Sequence, residues 1–194
     1  MVISRAFADV YRTNTKKQGL SLWLSSSSPL ASACSPSFVL LIDDDYMLSP
    51  LKIAGLVNER SPHDLIYEGW RIDSSPFRFR LHKHAVSLSS YPFSSYPPYI
   101  TAGAVLLSAR AARRMYYGSL YVAEYNFDDI YASILAKLLS IPVRHNDRFL
   151  FDAEDGWLTP GADWRTTIAA HGYSPRKLRA NYQQVLAAAR QPAF

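Results

Sequence analysis

A short apolar run followed by three consecutive carboxylates constrains this chain more than any other feature. The run is Phe38–Ile42, and Asp43, Asp44 and Asp45 follow it directly. A continuous apolar run of this length, bounded by turn-type residues, predicts a buried strand of an α/β sheet. Ligands of open α/β sheets bind beyond the carboxyl ends of strands, so the triplet is a candidate metal or phosphate site. Asp43 and Asp45 could converge on one hard divalent cation, and the alternative is a solvated acidic turn.

The composition is that of a single globular domain and argues against several classes of protein. The chain has 194 residues, is 48% hydrophobic and carries a net charge of +5, which is enough for a real core. Its basic residues form no dense run, so we expect no nucleic-acid partner, whereas a phosphate-bearing ligand or an anionic membrane face would suit the charge. Cys34 is the single cysteine, so no intrachain disulfide can form. No run approaches the roughly 18 apolar residues of a membrane span.

Local signals predict strands and helices in alternation, which indicates an α/β fold. Serine residues at Ser49, Ser108 and Ser174 are placed to cap three helices. These helices are expected over Pro50–Asn58, over Ala109–Tyr117, and from Pro175 with Leu178, Tyr182, Val185, Leu186 and Ala189 on one face. Further helices are expected over Val10–Leu24 and over Asp129–Leu139, the second capped by Asn126 or Asp128. Strands are expected over Asp64–Trp70, Ala85–Ser89 and Ile141–His145. An apolar run covers Tyr99–Leu107, and Phe149–Asp163 is expected to be a loop.

Two further sets of residues could carry chemistry. Asp128 and Asp129 begin the clearest helix; acidic residues there commonly favour the helix dipole, and the alternative is a general base facing a cleft. His171 is either a packed or surface residue or a ligand that joins the aspartates. The sequence His82-Lys83-His84 is a weak zinc signal and is more typical of a polar loop. No nucleophile-elbow, Walker or dinucleotide-binding motif occurs.

Taken in order, five blocks of the sequence resemble a known enzyme family. The chain is similar to the β-1,3-glycosyltransferases of the galactosyltransferase and N-acetylglucosaminyltransferase group, glycosyltransferase family 31, and especially to its Brainiac-like members. The resemblance extends from about Asp9 to Val185. It rests on Phe38–Tyr46, the segment from Lys83 to Phe93, Tyr96–Gly103, Phe127–Tyr131 and His171. The chain departs from the family pattern at Ile100, where a cysteine is expected, and at His84, where a tryptophan is expected.

The resemblance implies roles for the acidic residues and the histidine. The triplet matches the family's DxD element, so Asp45, assisted by Asp43, would hold Mn²⁺ and His171 would complete its ligand set. Asp129 would deprotonate the acceptor hydroxyl, with Asp128 as the neighbouring candidate. The donor and acceptor cleft would be lined by Asp44, Lys83, Tyr96, Pro97, Pro98, Tyr99, Ala102 and Gly103. For the tyrosines and prolines the alternative is that they build the wall without touching sugar.

The resemblance also implies a fold and a reaction. The fold would be GT-A-like, with a mixed central sheet flanked by helices, and incomplete at its N-terminus. Residues 1–194 would form a partial catalytic domain, in which 1–37 is a remnant of the nucleotide-binding half and 38–190 the metal, donor and acceptor half.

The implied reaction is an inverting β-1,3-transfer of galactose or N-acetylglucosamine from a UDP-sugar to a glycan on lipid or protein. It would occur at the lumenal face of the Golgi membrane, with membrane contact only through a missing N-terminal anchor. The alternatives are a non-catalytic module that binds glycan or pairs with a transferase, and a metal-dependent hydrolase.

Overall fold

The computed structural model describes residues 15–16, 19, 21–23, 29–151 and 161–191. Within these residues the chain has five named helices and seven strands, in a mixed α/β arrangement. The helices are α1 (Pro29–Cys34), α2 (Pro50–Asn58), α3 (Ala109–Ser119), α4 (Asp128–Leu138) and α5 (Pro175–Ala189). The strands are β1 (Phe38–Ile42), β2 (Tyr46–Leu48), β3 (Tyr67–Ile72), β4 (Tyr99–Ser108), β5 (Val143–His145), β6 (Phe149–Leu150) and β7 (Ala169–His171).

A four-stranded sheet in the order β1–β4–β3–β5 forms the centre of the fold. Strand β4 is antiparallel to both of its neighbours, whereas β3 and β5 are parallel. The predicted mixed sheet flanked by helices is therefore confirmed. The fold is consistent with a GT-A-like glycosyltransferase domain.

Strand β4 reads as a continuous apolar run because both of its faces are covered. Val105 and Leu107 pack into one buried cluster with α3 and α4, and Ala104 and Leu106 pack into another with Leu56 of α2 and the second sheet. Successive side chains of a strand point to opposite faces. The ten-residue strand is thus the layer that separates the two halves of the core.

The second sheet is small and carries part of the candidate site. Its order is β2–β7–β6, and Tyr46 of β2 lies directly opposite His171 of β7. The sequence analysis missed β2 and β7, and it assigned Phe149–Leu150 to a loop where the structure has β6. Three-residue strands leave too few positions for a recognisable alternating pattern.

A buried ion pair connects the end of α2 to the central sheet. Glu68 of β3 is 2% exposed and accepts two hydrogen bonds from the Arg60 guanidinium, both at 3.0 Å. Asn146 donates a third at 2.6 Å. Burial opposes ionisation, but the hydrogen bonds from Arg60 and Asn146 and the charges of Arg60 and Arg144 outweigh it, so the pKa of Glu68 lies below its ordinary value. These contacts were not predicted.

The helix-capping predictions had mixed outcomes. Ser108 and Ser174 accept hydrogen bonds from the backbone N–H groups of Ala111 and Lys177, as expected. Ser49 precedes α2 but its side chain makes no capping bond. Neither Asn126 nor Asp128 caps α4, because Phe127 occupies the N-cap position and offers no side-chain acceptor.

Other boundaries shift or fall outside the described residues. The strand expected over Asp64–Trp70 is Tyr67–Ile72, and the one expected over Ile141–His145 begins at Val143. The strand expected over Ala85–Ser89 is only an isolated bridge between Phe77 and Ala85. Tyr182, expected on the packed face of the last helix, is 39% exposed. Residues 15–16, 19 and 21–23 of the expected N-terminal helix are helical. The rest of that helix, and 152–160 of the expected loop, lie outside the described residues. Among the described helices, none has the length and apolarity needed to cross a membrane.

Candidate active site

The acidic triplet lies in the turn between β1 and β2 and is fixed to β4. The backbone N–H of Asp43 donates to the carbonyl of Gly103 at 2.9 Å, and the N–H of Tyr46 donates to the carbonyl of Asp43 at 3.3 Å. Asp43 and Asp44 are exposed and Asp45 is half-buried. The turn is therefore neither a mobile linker nor a fully solvated feature.

Electrostatics connect this turn to the start of α4. The pKa of Asp43 is raised to about 6, first because the surrounding protein displaces water, and then because of the negative charges of Asp45, Asp128 and Asp44. His171 opposes the shift. Since the charge of Asp128 contributes to this shift, the start of α4 lies close enough to the triplet to act on it electrostatically.

His171 is brought to the triplet by strand pairing. Its Nε2 lies 3.1 Å from Oδ2 of Asp45, within hydrogen-bonding distance. Its ring contacts those of Tyr46 and Phe151, with centroid distances of 5.1 and 6.1 Å. Just beyond β7, the N–H of Tyr173 donates to the carbonyl of Asp45 at 2.9 Å, which fixes the register.

The donor atoms at this turn suit a hard divalent cation. Oδ1 of Asp45 is buried and has no hydrogen-bond partner among the described residues. A buried carboxylate oxygen without a donor is costly unless a cation compensates it. Carboxylate oxygens and an imidazole nitrogen are common ligands of Mn²⁺ and related ions. Within the described part of the chain, however, no three His, Cys, Asp or Glu side chains already form a ligand cluster; Asp45 and His171 form a pair, with Asp43 beside them.

Among the described residues, Asp129 is the carboxylate whose pKa is raised the furthest. Its Oδ1 accepts a hydrogen bond from the N–H of Ile130 at 2.8 Å. Burial, and after it the charge of Asp128, raise its pKa to about 7, and the backbone hydrogen bonds only partly oppose this. A carboxyl that titrates near neutral pH can accept a proton from a substrate hydroxyl.

Three tyrosines lie close enough to Asp129 to be affected by its charge. The negative charge of Asp129 contributes to raising the pKa values of Tyr67, Tyr96 and Tyr99, for each of which burial is the largest cause. Tyr96 is buried and its hydroxyl lies 3.0 Å from that of Tyr125. The hydroxyl of Tyr99 lies 3.1 Å from Ser74 Oγ. The hydroxyls of Tyr96 and Tyr99 thus contact other side chains of the protein. This is compatible with the alternative that these tyrosines line the cleft without touching sugar.

The other predicted cleft residues occupy varied positions. Gly103 is buried under Tyr46, and a Cβ there would lie 2.2 Å from the Tyr46 ring, so this small residue makes room for an aromatic side chain of the protein. The Pro97 carbonyl lies 3.5 Å from Ser133 Oγ of α4. Pro98 is exposed and Ala102 half-exposed.

Lys83 lies in a long loop whose backbone carbonyls are bound by the side chain of Arg78. Arg78 donates four hydrogen bonds, at 2.8–3.1 Å, to the backbone carbonyls of Val86, Ser87, Tyr91 and Phe93. We call residues 74–98 the Arg78 loop. Lys83 is exposed on it, and the adjacent His84 contacts the ring of Phe127 at 5.7 Å, just before Asp128.

Sequence reasoning overlooked Tyr46 and Arg78. Tyr46 could have been found from its position directly after the acidic triplet. No local pattern distinguishes Arg78 from the neighbouring Arg80, because its partners are backbone carbonyls that become available only after the loop folds.

Comparison with known proteins identifies the family of this chain. A family model described as galactosyltransferase matches residues 2–147. The chain is 36% identical over 180 residues to "Beta-1,3-galactosyltransferase bre-5" of Caenorhabditis elegans, which covers 91% of this chain and 54% of that protein. It is also 36% identical over 154 residues to "Beta-1,3-galactosyltransferase brn" of Drosophila melanogaster, covering 77% of this chain and 46% of that protein.

A more distant match covers a similar extent. The chain is 25% identical over 191 residues to "UDP-GalNAc:beta-1,3-N-acetylgalactosaminyltransferase 1" of Homo sapiens, which covers 95% of this chain and 55% of that protein. The chain thus spans about half the length of the curated relatives it matches. Because the family model matches most of the chain and the bre-5 match extends over nine-tenths of it, this chain belongs to the galactosyltransferase family.

Proposed function

We propose that this chain carries the metal, acceptor and general-base residues of an inverting β-1,3-hexosyltransferase. The donor would be a UDP-sugar, with galactose or N-acetylglucosamine as the transferred group, and the acceptor a glycan on lipid or protein. The single observation that carries the proposal is the proximity of Asp43, Asp45 and His171, with Asp128 near enough to raise the pKa of Asp43 and Asp129 next to it at the start of α4. The Golgi location remains an expectation from the family resemblance.

The residues of the turn suit a divalent cation such as Mn²⁺. Asp45, Asp43 and His171 would hold it, and when bound it would offset the charge on the leaving diphosphate. The buried and unpartnered Oδ1 of Asp45 supports this assignment. Contacts with the rings of Tyr46 and Phe151 restrict the orientation of His171, whose Nε2 lies 3.1 Å from Oδ2 of Asp45.

Asp129 would act on the acceptor. Its carboxylate takes the proton from one sugar hydroxyl as that oxygen attacks the anomeric carbon of the donor. The bond from that carbon to the diphosphate breaks, and attack from the opposite face inverts the configuration. A pKa near 7 allows Asp129 to be ionised in the resting state and protonated afterwards without a large cost.

A transferase assay tests the proposal directly. The protein is incubated with UDP-galactose or UDP-N-acetylglucosamine and an acceptor glycan, with Mn²⁺ or with EDTA. Formation of a β-1,3-linked product that EDTA abolishes, and that falls strongly in Asp45→Asn, would support it. The Asp73→Asn variant is the matched control, because Asp73 is an exposed carboxylate paired with Arg71.

Other outcomes separate the remaining functions. Glycan binding without turnover, measured by calorimetry, would indicate a non-catalytic module. UDP release that needs no acceptor would indicate a hydrolase. Product formation unaffected by EDTA would contradict the metal assignment.

A further inference from the structure

A groove of about 720 Å³ lies along one side of α3. A volume of this size is within the range of sites that bind small molecules. We call it the α3 groove. Its lining includes Arg110, Arg113, Arg114, Tyr117, Tyr121 and, directly after α4, Leu139.

The groove follows from the amphipathic pattern of α3. Its three arginines and Tyr117 recur at intervals of three and four positions, so they share one face of the helix. All four are exposed. The opposite face of the helix packs into the core through Ala111, Ala112 and Met115. The three guanidinium groups are therefore presented together on the outer face.

The groove has an apolar side where α3 meets the end of α4. A Cβ at Gly118 would lie 3.0 Å from Cδ1 of Leu139, so Leu139 packs directly against the helix backbone. Tyr117 and Tyr121 are 52% and 89% exposed. A tyrosine ring combines a flat apolar face with a polar hydroxyl. The groove thus offers apolar surface beside its charged side chains.

The charge of the groove is positive. Three arginines line it, and none of the described residues that line it is Asp or Glu. Nη1 of Arg110 donates to the carbonyl of His63 at 2.6 Å, which holds this guanidinium in place. Neighbouring segments carry Asp64 and Glu124, but neither lines the groove, and Glu124 lines a separate cavity beside Tyr116. Guanidinium groups bind carboxylate and phosphate-like oxyanions through two parallel hydrogen bonds.

The α3 groove is separate from the candidate active site. In the pairing of β1 with β4, Ile42 lies opposite Ala104 just before the acidic triplet, whereas α3 begins after Ser108, four residues further along. Helix α4 begins at Asp128, and Leu139 follows its end, about 16 Å away along the helix axis. A ligand in the groove therefore does not occupy the position of the metal or of the candidate base.

We propose that the α3 groove binds an acidic oligosaccharide, a glycan that carries carboxylate or sulfate groups. The arginines bind its acidic groups, and the tyrosine rings pack against the C–H faces of its sugars. Since α3 rises about 10 Å from Arg110 to Tyr117 and Tyr121 lies further on, the groove suits an extended ligand better than a single small anion. A glycan is also the acidic ligand that fits the family of this chain. The site goes beyond the proposed function and does not depend on catalytic activity.

Calorimetry tests the binding. The 194-residue chain is titrated in EDTA with hexasaccharides of chondroitin sulfate and hyaluronan, which are acidic, and with chitohexaose, which is uncharged. We expect both acidic hexasaccharides to bind at least about ten-fold more tightly than chitohexaose, because only they form charge-assisted hydrogen bonds. Arg113→Gln/Arg114→Gln should weaken this binding by about ten-fold or more, and Tyr121→Ala should weaken it less.

A matched control removes the same two charges elsewhere. Arg80 and Arg176 are exposed and do not line the groove. Arg80→Gln/Arg176→Gln should leave binding nearly unchanged at physiological ionic strength, since salt screens distant charges. Asp129→Asn should also leave it unchanged, so that failure of the transferase assay and failure of groove binding are separate results. Circular dichroism of all variants monitors folding.

Three results would overturn the proposal. The first is that the acidic hexasaccharides do not bind, or bind no more tightly than chitohexaose. The second is an equal loss in the groove and control double variants, which would show attraction to net charge alone. The third is tighter binding of a single-stranded oligodeoxynucleotide of equal charge that Arg113→Gln/Arg114→Gln abolishes, since this would make nucleic acid the occupant.

Discussion

Glu68 and Asp129 are both carboxylates withdrawn from water, yet the protein moves their pKa values in opposite directions. Glu68 has a bidentate guanidinium and an amide donor, and its pKa is lowered. Asp129 has backbone donors and a second carboxylate beside it, no cation contributes to its shift, and its pKa is raised to about 7. Burial alone therefore does not identify a functional carboxylate. The difference lies in whether the structure supplies compensating charge.

The largest expected effect separates the roles of the two groups. Asp129→Asn should lower turnover by about 10²–10⁴-fold, the usual contribution of a general base. It should not lower the free energy of unfolding, because the replaced carboxylate is poorly compensated. Initial rates and urea unfolding measure the two quantities. Unchanged turnover would show that Asp129 takes no part in the reaction. Asp129 and Glu68 would then differ only in their contributions to stability.

Removing the partner of Glu68 should show the reverse pattern. Arg60→Ala leaves a buried charge uncompensated, so the free energy of unfolding should fall by about 3 kcal/mol or more. Arg71→Ala is the control, since its ion pair with Asp73 is exposed, and it should cost less than about 1 kcal/mol. Urea unfolding of both variants provides the test. Equal losses would mean that the Glu68 cluster is no stronger than a surface pair.

The pH dependence of stability should have two limbs of opposite sign. Glu68 has a lowered pKa in the folded state, so its contribution is present above about 4.5 and is lost as pH falls. Asp129 has a raised pKa, so its contribution is present below about 3.8 and is lost as pH rises towards about 7. One proton gives a slope of at most about 1.4 kcal/mol per pH unit.

Urea unfolding at a series of pH values would resolve these limbs. Asp129→Asn should reduce the decline between about pH 4 and 7 and leave the part that comes from Asp43, whose pKa is raised to about 6. Glu68→Gln should reduce the loss in acid. A decline that persists unaltered in Asp129→Asn would have to arise from another group.

The smallest expected effect concerns Asp128. Its charge is the second cause of the raised pKa of Asp129, so Asp128→Asn should lower the titration midpoint of Asp129 by less than about one pH unit. Loss of a negative charge in the first turn of α4 should cost about 0.3–1 kcal/mol. Carboxyl NMR titration of the folded protein measures the shift. A midpoint that rises would show that Asp128 does not act through its charge.

The sequence was informative where a structural signal is local. The strand before Asp43 and the caps at Ser108 and Ser174 depend on residues within a few positions, and the structure contains all three. The strand was predicted to be buried, however, whereas β1 is a half-buried edge strand that ends at the exposed Ile42. The cap of α4 was wrong because two polar residues surround Phe127, and the register that places Phe127 at the N-cap is set by its packing with Tyr125 and Ile130.

Contacts between distant residues could not be read in the same way. Asp45 and His171 are 126 positions apart, and Glu68 and Asn146 are 78 apart. The family resemblance suggested the first pair, whereas nothing suggested the second. The ligand and base roles of the site residues stay predictions, because the structure establishes their proximity and acidity rather than their chemistry.

Arg78 has a consequence for how the surface of its loop can diverge between related sequences. Its four acceptors are main-chain carbonyls, which every amino acid provides. The shape of the loop therefore depends on this arginine and on the buried Val86, Tyr91 and Tyr96, and none of these is among its exposed apolar side chains. Replacing the exposed side chains should leave the loop's shape intact, so its surface chemistry can change beside the acidic residues while their scaffold is kept.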